Sequence, residues 1–196
     1  MGRKKREGVA VRLPPLLCRM RRGPAVILPK DIGMVIGYAG IGKKSTVVEA
    51  GAGSGFATVM LANIAKKVVS YEWKEEFAGI ARENLKRAGL RNAKIKIRDV
   101  REGIEERGVD LVLLDMPEAE KAVAHAYLAL KEGGFLAGFL PHFEQCKSFW
   151  AECEAAGFRE KFMLEAIVRE YEARECGIRP KHIGLTHTAF LVFARK

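Results

Sequence analysis

The stretch Val47-Val-Glu-Ala-Gly-Ala-Gly-Ser-Gly-Phe56 constrains this chain more than any other. An apolar, strand-like run enters it and a helix-like run leaves it, with Gly51, Gly53 and Gly55 between. Glycine lets a backbone turn sharply and approach a ligand closely. N–H groups exposed at a helix start favour a carboxylate or phosphate. In an open α/β sheet such a turn belongs at the carboxyl end of a strand, where the strand order reverses and ligands bind. The spacing is G-x-G-x-G, one residue short of the G-x-G-x-x-G pattern of dinucleotide sites, which disfavours a nicotinamide dehydrogenase.

Four acids stand at or near the ends of successive strand-like runs. Glu49 lies two residues before Gly51, and Glu72 lies 17 residues beyond Gly55. A carboxylate at the second position can accept both ribose hydroxyls of an adenosine. Asp99 ends the third run, where it could accept from an adenine amino group, and Asp115 ends the fourth, in Leu114-Asp-Met-Pro117. Each alone could be a helix cap or a solvated loop residue. Four in register point to a bound ligand.

The rest of the chain alternates in the same way. Helices are predicted from Asp31, near an N-cap, to Tyr38, and over 56–65, 74–88, 118–130 and 144–156. Phe77, Ile80, Ala81, Leu85 and Ala88 make one apolar stripe on the third of these, with Gly89 just past its end. Strands are predicted over 46–50, 68–71, 93–97, 109–114 and 135–140, and two more, about 160–168 and 186–194, close the chain. Strands alternating with helices imply a parallel sheet covered on both faces. Two final strands with no helix between them put one antiparallel strand in it. The expected fold is therefore α/β: a doubly wound, mostly parallel, seven-stranded Rossmann-like sheet with a terminal antiparallel strand.

With 196 residues, one domain with a full core is expected. We divide the chain into a basic N-terminal arm, 1–22, and a ligand-binding domain, 23–196. Residues 1–30 hold nine Lys or Arg and one acid, which is +8 of the total +10. Such a concentration suits a polyanion such as nucleic acid. Pro14-Pro15 argues against a helix in the arm. The four cysteines (Cys18, Cys146, Cys153, Cys176) are scattered and read as reduced, and no metal site is expected. No apolar run reaches the roughly 18 residues of a membrane span, and no signal peptide is evident, so no membrane partner and a cytoplasmic location are expected.

These residues resemble the class I S-adenosylmethionine methyltransferases, and most of all the tRNA adenine-N1 methyltransferase family, which modifies a T-loop adenine. The resemblance covers about residues 21–196. It rests on Arg22-Gly-Pro24 with Leu28-Pro-Lys-Asp31, the loop Glu49 to Gly55, Tyr71-Glu72, Arg98-Asp-Val100, Leu114-Asp-Met-Pro-Glu118, Glu144-Gln145 and His187-Thr-Ala-Phe-Leu-Val-Phe193. It implies S-adenosylmethionine as cofactor, with Gly51, Gly53, Ser54, Gly55 and Phe56 around its methionine end, Glu72 on the ribose and Asp99 with Val100 at the adenine. Leu28, Glu49, Trp73 and Asp115 join the implied cofactor set. The family is commonly tetrameric, so a homo-oligomer is possible. Members usually carry a β-rich domain before the Arg-Gly-Pro segment, where this chain has about twenty basic-rich residues. Ala25 stands where Gln is common, and Ala119-Glu120 where Pro-Trp is usual.

Adenine N1 is unprotonated at neutral pH, so its methylation calls for alignment rather than a general base. Asp115 is the expected catalytic residue, stabilising the positive charge that develops on the ring. His187, Thr188, Arg21 and Arg22 are the expected substrate contacts, with His142 a further candidate for the base pocket, and tRNA or another RNA is the expected partner. Two alternatives stay open: a methyltransferase of this fold acting on a small molecule or protein, and a catalytically weak cofactor-binding subunit of a larger complex.

Overall fold

The computed structural model describes residues 12–23 and 26–196. In chain order these form α1 (Pro15–Cys18), α2 (Pro29–Tyr38), β1 (Thr46–Ala50), α3 (Phe56–Ala62), β2 (Lys67–Glu72), α4 (Glu75–Arg87), β3 (Ala93–Ile97), β4 (Val109–Leu114), α5 (Val123–Ala129), β5 (Leu130–Leu140), α6 (Phe143–Ala156), β6 (Glu160–Leu164), β7 (Tyr171–Arg174), β8 (Gly177–Pro180) and β9 (Phe190–Arg195), with 3-10 turns at Val100–Glu102 and Ala119–Ala122. Seven strands make one sheet in the order β3-β2-β1-β4-β5-β9-β6, and β7 pairs with β8 alone. All neighbours in the large sheet are parallel except β9, which runs antiparallel to both β5 and β6. The expected Rossmann-like sheet with one antiparallel strand is what forms.

The near-continuous apolar strands follow from burial on both faces. Along β1 and β4, Val47, Leu111 and Leu113 pack under α2 and α3 with Ile32, Val35 and Leu61. The alternate residues Val48, Val112 and Leu114 face α5 and α6 with Val123, Ala126 and Phe149. Gly138 of β5 is where α6 comes closest: a Cβ there would lie 2.9 Å from the Phe149 ring. Helix α4 carries Glu75 and Glu76 in its first turn and Lys86 and Arg87 in its last, matching its dipole. Gly89, at φ +69, turns the chain out of it.

Several local expectations need correction. The arm is not free of helix, because Pro15 sits at a first-turn position where a missing N–H is no loss. Leu17 and Met20 are buried there against Phe56, Val59, Ala81 and Leu85. Residues 1–11 of the arm lie outside the described residues. Asp31 is not the cap of α2; Leu28 is, with Pro29 opening the helix and Asp31 buried in its first turn. The helix expected over 118–130 is split, because Glu118 adopts a left-handed φ of 56 and only a 3-10 turn follows before Val123. The β7–β8 hairpin was not foreseen; its four-residue strands are short and mostly exposed.

Candidate active site

The strand order reverses between β1, which leads to β2 and β3 on one side, and β4, which leads to β5 on the other. The carboxyl ends of these strands surround a cavity of about 410 Å³, within the range usual for small-molecule sites. Glu49, Gly51, Gly53, Ser54, Phe56, Glu72, Trp73, Asp99, Val100 and Asp115 all line it. All four acids read from the sequence therefore converge on one space.

The glycine loop is set by backbone bonds. Gly51 N–H donates to the Asp115 carbonyl (3.1 Å), Ala52 N–H to the Tyr71 carbonyl (2.9 Å) and Gly55 N–H to the Ala52 carbonyl (2.7 Å). Gly53 (φ +53) and Gly55 (φ +80) take left-handed conformations. Gly55 does not line the cavity. A Cβ there would lie 3.1 Å from Ala81, so its role is to let α3 and α4 pack closely. Leu28 also stays outside the lining, and its neighbours Val26 and Ile27 take its place.

Each acid is held differently. Glu72 accepts from Gly53 N–H (2.8 Å) on one oxygen and Lys74 N–H (3.0 Å) on the other. Each oxygen keeps an acceptor position for a ligand. Asp99 accepts from Arg101 N–H (2.9 Å) and pairs with the Arg101 guanidinium, which holds its carboxyl below the usual range. Glu49 accepts from Thr58 Oγ1 (2.6 Å) and Ser70 Oγ (2.5 Å) through Oε2, while Oε1 is buried with no partner among the described residues. Burial pushes Glu49 up to about 7. Asp115 lines the cavity without a side-chain hydrogen bond among the described residues. Burial, with Glu49 and Asp31 nearby, raises it to about 7. At the rim Trp73 is 60% exposed, and the Lys74 ammonium lies 5.1 Å from its ring centre and 5.4 Å from that of Phe77.

The expected substrate contacts lie elsewhere. Arg21 is fixed to α4 by its backbone, whose N–H and carbonyl pair with the Asn84 amide (both 2.8 Å). Both Arg21 and Arg22 are exposed. His187 is bound by Glu165 (2.6 Å) and the Pro141 carbonyl (3.0 Å), and Glu165 raises its pKa. Thr188 donates to Asp31 (3.0 Å) and accepts from the Lys30 ammonium (2.6 Å). None of these four lines the cavity. His142 caps α6. The sequence reading missed Lys30 and the buried Asp31 as a pair; Asp31 precedes Val35 by one turn on the apolar side of α2, and that misplaced charge was the available signal.

Glu49 and Ser54, each with a buried side-chain oxygen that has no partner among the described residues, both line the cavity. A buried orphan acceptor is costly unless a ligand completes it. The ammonium end of S-adenosylmethionine offers the donors required, and Glu72 and Asp99 suit an adenosine at the other end. The residues present fit that cofactor.

A glycine loop at the switch point, this strand order and this spread of acids define the class I S-adenosylmethionine-dependent methyltransferases. The comparisons agree. The family described as "tRNA methyltransferase complex GCD14 subunit" matches residues 20–190. The chain is 38% identical, over 92% of its length and 74% of the relative, to the tRNA (adenine(57)-N(1)/adenine(58)-N(1))-methyltransferase TrmI of Methanocaldococcus jannaschii. It is 33% identical to the tRNA (adenine(58)-N(1))-methyltransferase TrmI of Thermus thermophilus, over 97% of this chain and 78% of that one. The crystal structure of tRNA (m1A58) methyltransferase TrmI from Aquifex aeolicus superposes with a TM-score of 0.86 at 28% identity, covering 92% of this chain and 73% of the other. The chain belongs to the tRNA methyltransferase complex GCD14 subunit family.

Proposed function

We propose that this chain methylates N1 of an adenine in tRNA. The observation that carries the proposal is Asp115: an acid without a side-chain partner among the described residues, beside the glycine loop and within the field of two other buried acids. The names of the relatives support the substrate.

Bound S-adenosylmethionine supplies an electrophilic methyl group on a sulfonium. Glu49, Ser54 and the glycine loop would hold its amino-acid end, and Glu72, Asp99 and Val100 its adenosine. Asp115 would sit between that cofactor and the target base. As an ionised carboxylate beside the adenine amino group, it would stabilise positive charge growing on the ring. No residue need remove a proton before attack. A base in folded tRNA must leave its stack to reach the cavity, so exposed Arg21 and Arg22 would meet backbone phosphates. His187 and Thr188 would border the entering base. Exposed Ile167, Val168, Tyr171, Ile178 and Ile183, on and around the β7–β8 hairpin, suit contact with further copies of the chain. Action on tRNA would place the protein in the cytoplasm.

The test is transfer of labelled methyl from S-adenosylmethionine into unmodified bulk tRNA, with nucleoside analysis. Label in 1-methyladenosine is expected. Label in another nucleoside, or none while the cofactor still binds, would overturn the proposal.

A further inference from the structure

Arg101 joins two loops that approach the cavity from different strands. Its Nε lies 3.0 and 2.9 Å from the two Asp99 oxygens, and its Nη2 donates to Oδ2 at 2.6 Å. Its Nη1 donates to Glu118 Oε2 at 2.5 Å. Asp99 follows β3, on the side of the sheet suited to adenosine. Glu118 ends the Asp115-Met-Pro-Glu segment that follows β4. Arg101, Met116 and Pro117 line the same cavity as Asp99 and Asp115. One guanidinium thus spans from an adenosine-binding acid to the loop bearing the catalytic candidate.

The geometry restricts both ends. With three N–H donors from Arg101 on its carboxylate, Asp99 has about one acceptor position left of four. That suits a single adenine amino hydrogen, and the fork fixes where it must lie. On the far side Glu118 holds a left-handed backbone uncommon outside glycine, which a surrounding structure must enforce. Arg101 is anchored by its backbone as well, since the His125 ring nitrogen meets its carbonyl at 3.1 Å. The local Glu118–Lys121 pair belongs to the 3-10 turn and does not cross the cavity.

We infer that Arg101 is a positioning residue that couples occupancy of the adenosine end of the cavity to the placement of the Asp115–Glu118 loop. A ligand that engages Asp99 fixes the guanidinium, and the guanidinium through Glu118 fixes the loop. The inference rests on the cofactor-site reading above but not on the identity of the methyl acceptor.

Hydrogen exchange of the full chain with and without S-adenosylhomocysteine tests it. In the wild type, the ligand should slow exchange in peptides covering 99–103 and 115–122 together. In Glu118→Gln, which keeps the Asp99–Arg101 pair, protection of 99–103 should persist and that of 115–122 should fall at least fivefold, with ligand affinity within twofold of wild type. Lys121→Ala should behave as wild type. In the methyl-transfer assay Glu118→Gln should lower kcat about tenfold while the KM for S-adenosylmethionine barely moves. Arg101→Ala should lower both kcat and affinity, and Arg101→Lys should recover part of the affinity but not kcat. Full ligand protection of 115–122 in Glu118→Gln, or none in the wild type, would overturn the inference. If S-adenosylhomocysteine protects neither segment and does not bind, the cofactor-site reading fails with it. If both peptides respond as expected but tRNA is not methylated, only the choice of methyl acceptor falls.

Discussion

The β1–β3 half of the molecule and the half built on β4 to β9 hold their polar groups in different ways. In the first half the acids are secured from within its own strands, loop and helix: Glu49 by Thr58 and Ser70, and Glu72 in part by Gly53. Glu72 takes the N–H of Lys74 and Asp99 that of Arg101, each two residues on. In the second half the decisive contacts are distant. Lys30, on α2 before β1, reaches across to the Ala166 carbonyl (2.7 Å) and Thr188 (2.6 Å), and His187 reaches back to Pro141. The first half is a self-contained cradle. The second is a set of segments tied through one buried ion pair, Lys30–Asp31 (2.7 Å), with Asp31 fully buried. A site can therefore be assembled from one half whose polar side chains are held from within it and another whose contacts exist only once the whole chain is in place.

The sharpest way to break this contrast is Lys30→Met. It leaves Asp31 buried without its charge partner, unties Ala166 and leaves Thr188 held by Asp31 alone. A loss of about 3–5 kcal/mol is expected, read as a lower urea midpoint. An effect below about 1 kcal/mol would mean that the tie contributes little. Asp115→Asn comes next: it should fold normally and still lose about 10²- to 10³-fold in single-turnover methyl transfer. Wild-type turnover would remove Asp115 from the chemistry.

The pH dependence probes both halves at once, because Glu49 lies on β1 and Asp115 follows β4. Both are raised from ordinary carboxylate values to about 7. Between their unfolded and folded values the native chain holds protons that the unfolded chain has released. The associated stability is present at acidic pH, up to the ordinary carboxylate range, and declines as pH rises through about 7. Urea midpoints of the ligand-free protein from pH 5 to 8 should fall accordingly. A cationic cofactor end should reverse the preference, so that S-adenosylmethionine binds more tightly as pH rises through 7 and releases protons on binding at pH 6. Calorimetry in buffers of different ionisation enthalpy reads this directly, and pH-independent affinity would contradict the two shifts.

Gly55→Ala tests whether the cradle is as local as it looks. A Cβ at φ +80, 3.1 Å from Ala81, should cost about 1–3 kcal/mol. A larger loss would show that the α3–α4 contact reaches beyond the cradle. The smallest effect is expected at His187. Its pKa lies above 6.5, chiefly because of Glu165, so its contribution is present below pH 6.5 and fades as pH rises through the raised value. An imidazole NMR titration should place its midpoint above 6.5 in the wild type and nearer 6.5 in Glu165→Gln.

The same contrast governs how much could be read from the sequence. Strand β1 and the acids at Glu49, Glu72, Asp99 and Asp115 were legible because strand ends, glycine spacing and local caps are short-range signals. The sheet order followed from alternation, since parallel strands require crossovers. The Lys30–Asp31–Thr188 cluster was not legible, because no local rule links residues about 157 positions apart. Arg101 was hidden for a related reason: a cation two residues after an acid looks like a solvated pair until Glu118 is brought to it. The β7–β8 strands, at four residues each, are too short for their alternation to stand out, and α1 hid behind two prolines of which one merely opens the helix.

Asn84, buried in α4, gives the basic segment a mechanical meaning. Its amide nitrogen donates to the carbonyls of both Arg21 and Ser54 (2.8 Å each), while its oxygen takes the Arg21 N–H. The segment that enters the domain and the floor of the glycine loop thus hang from one hook. A load applied at Arg21, such as the pull of a bound polyanion, is borne by the same amide that supports Ser54. Strain at the surface would be transmitted to the cofactor's seat through that amide.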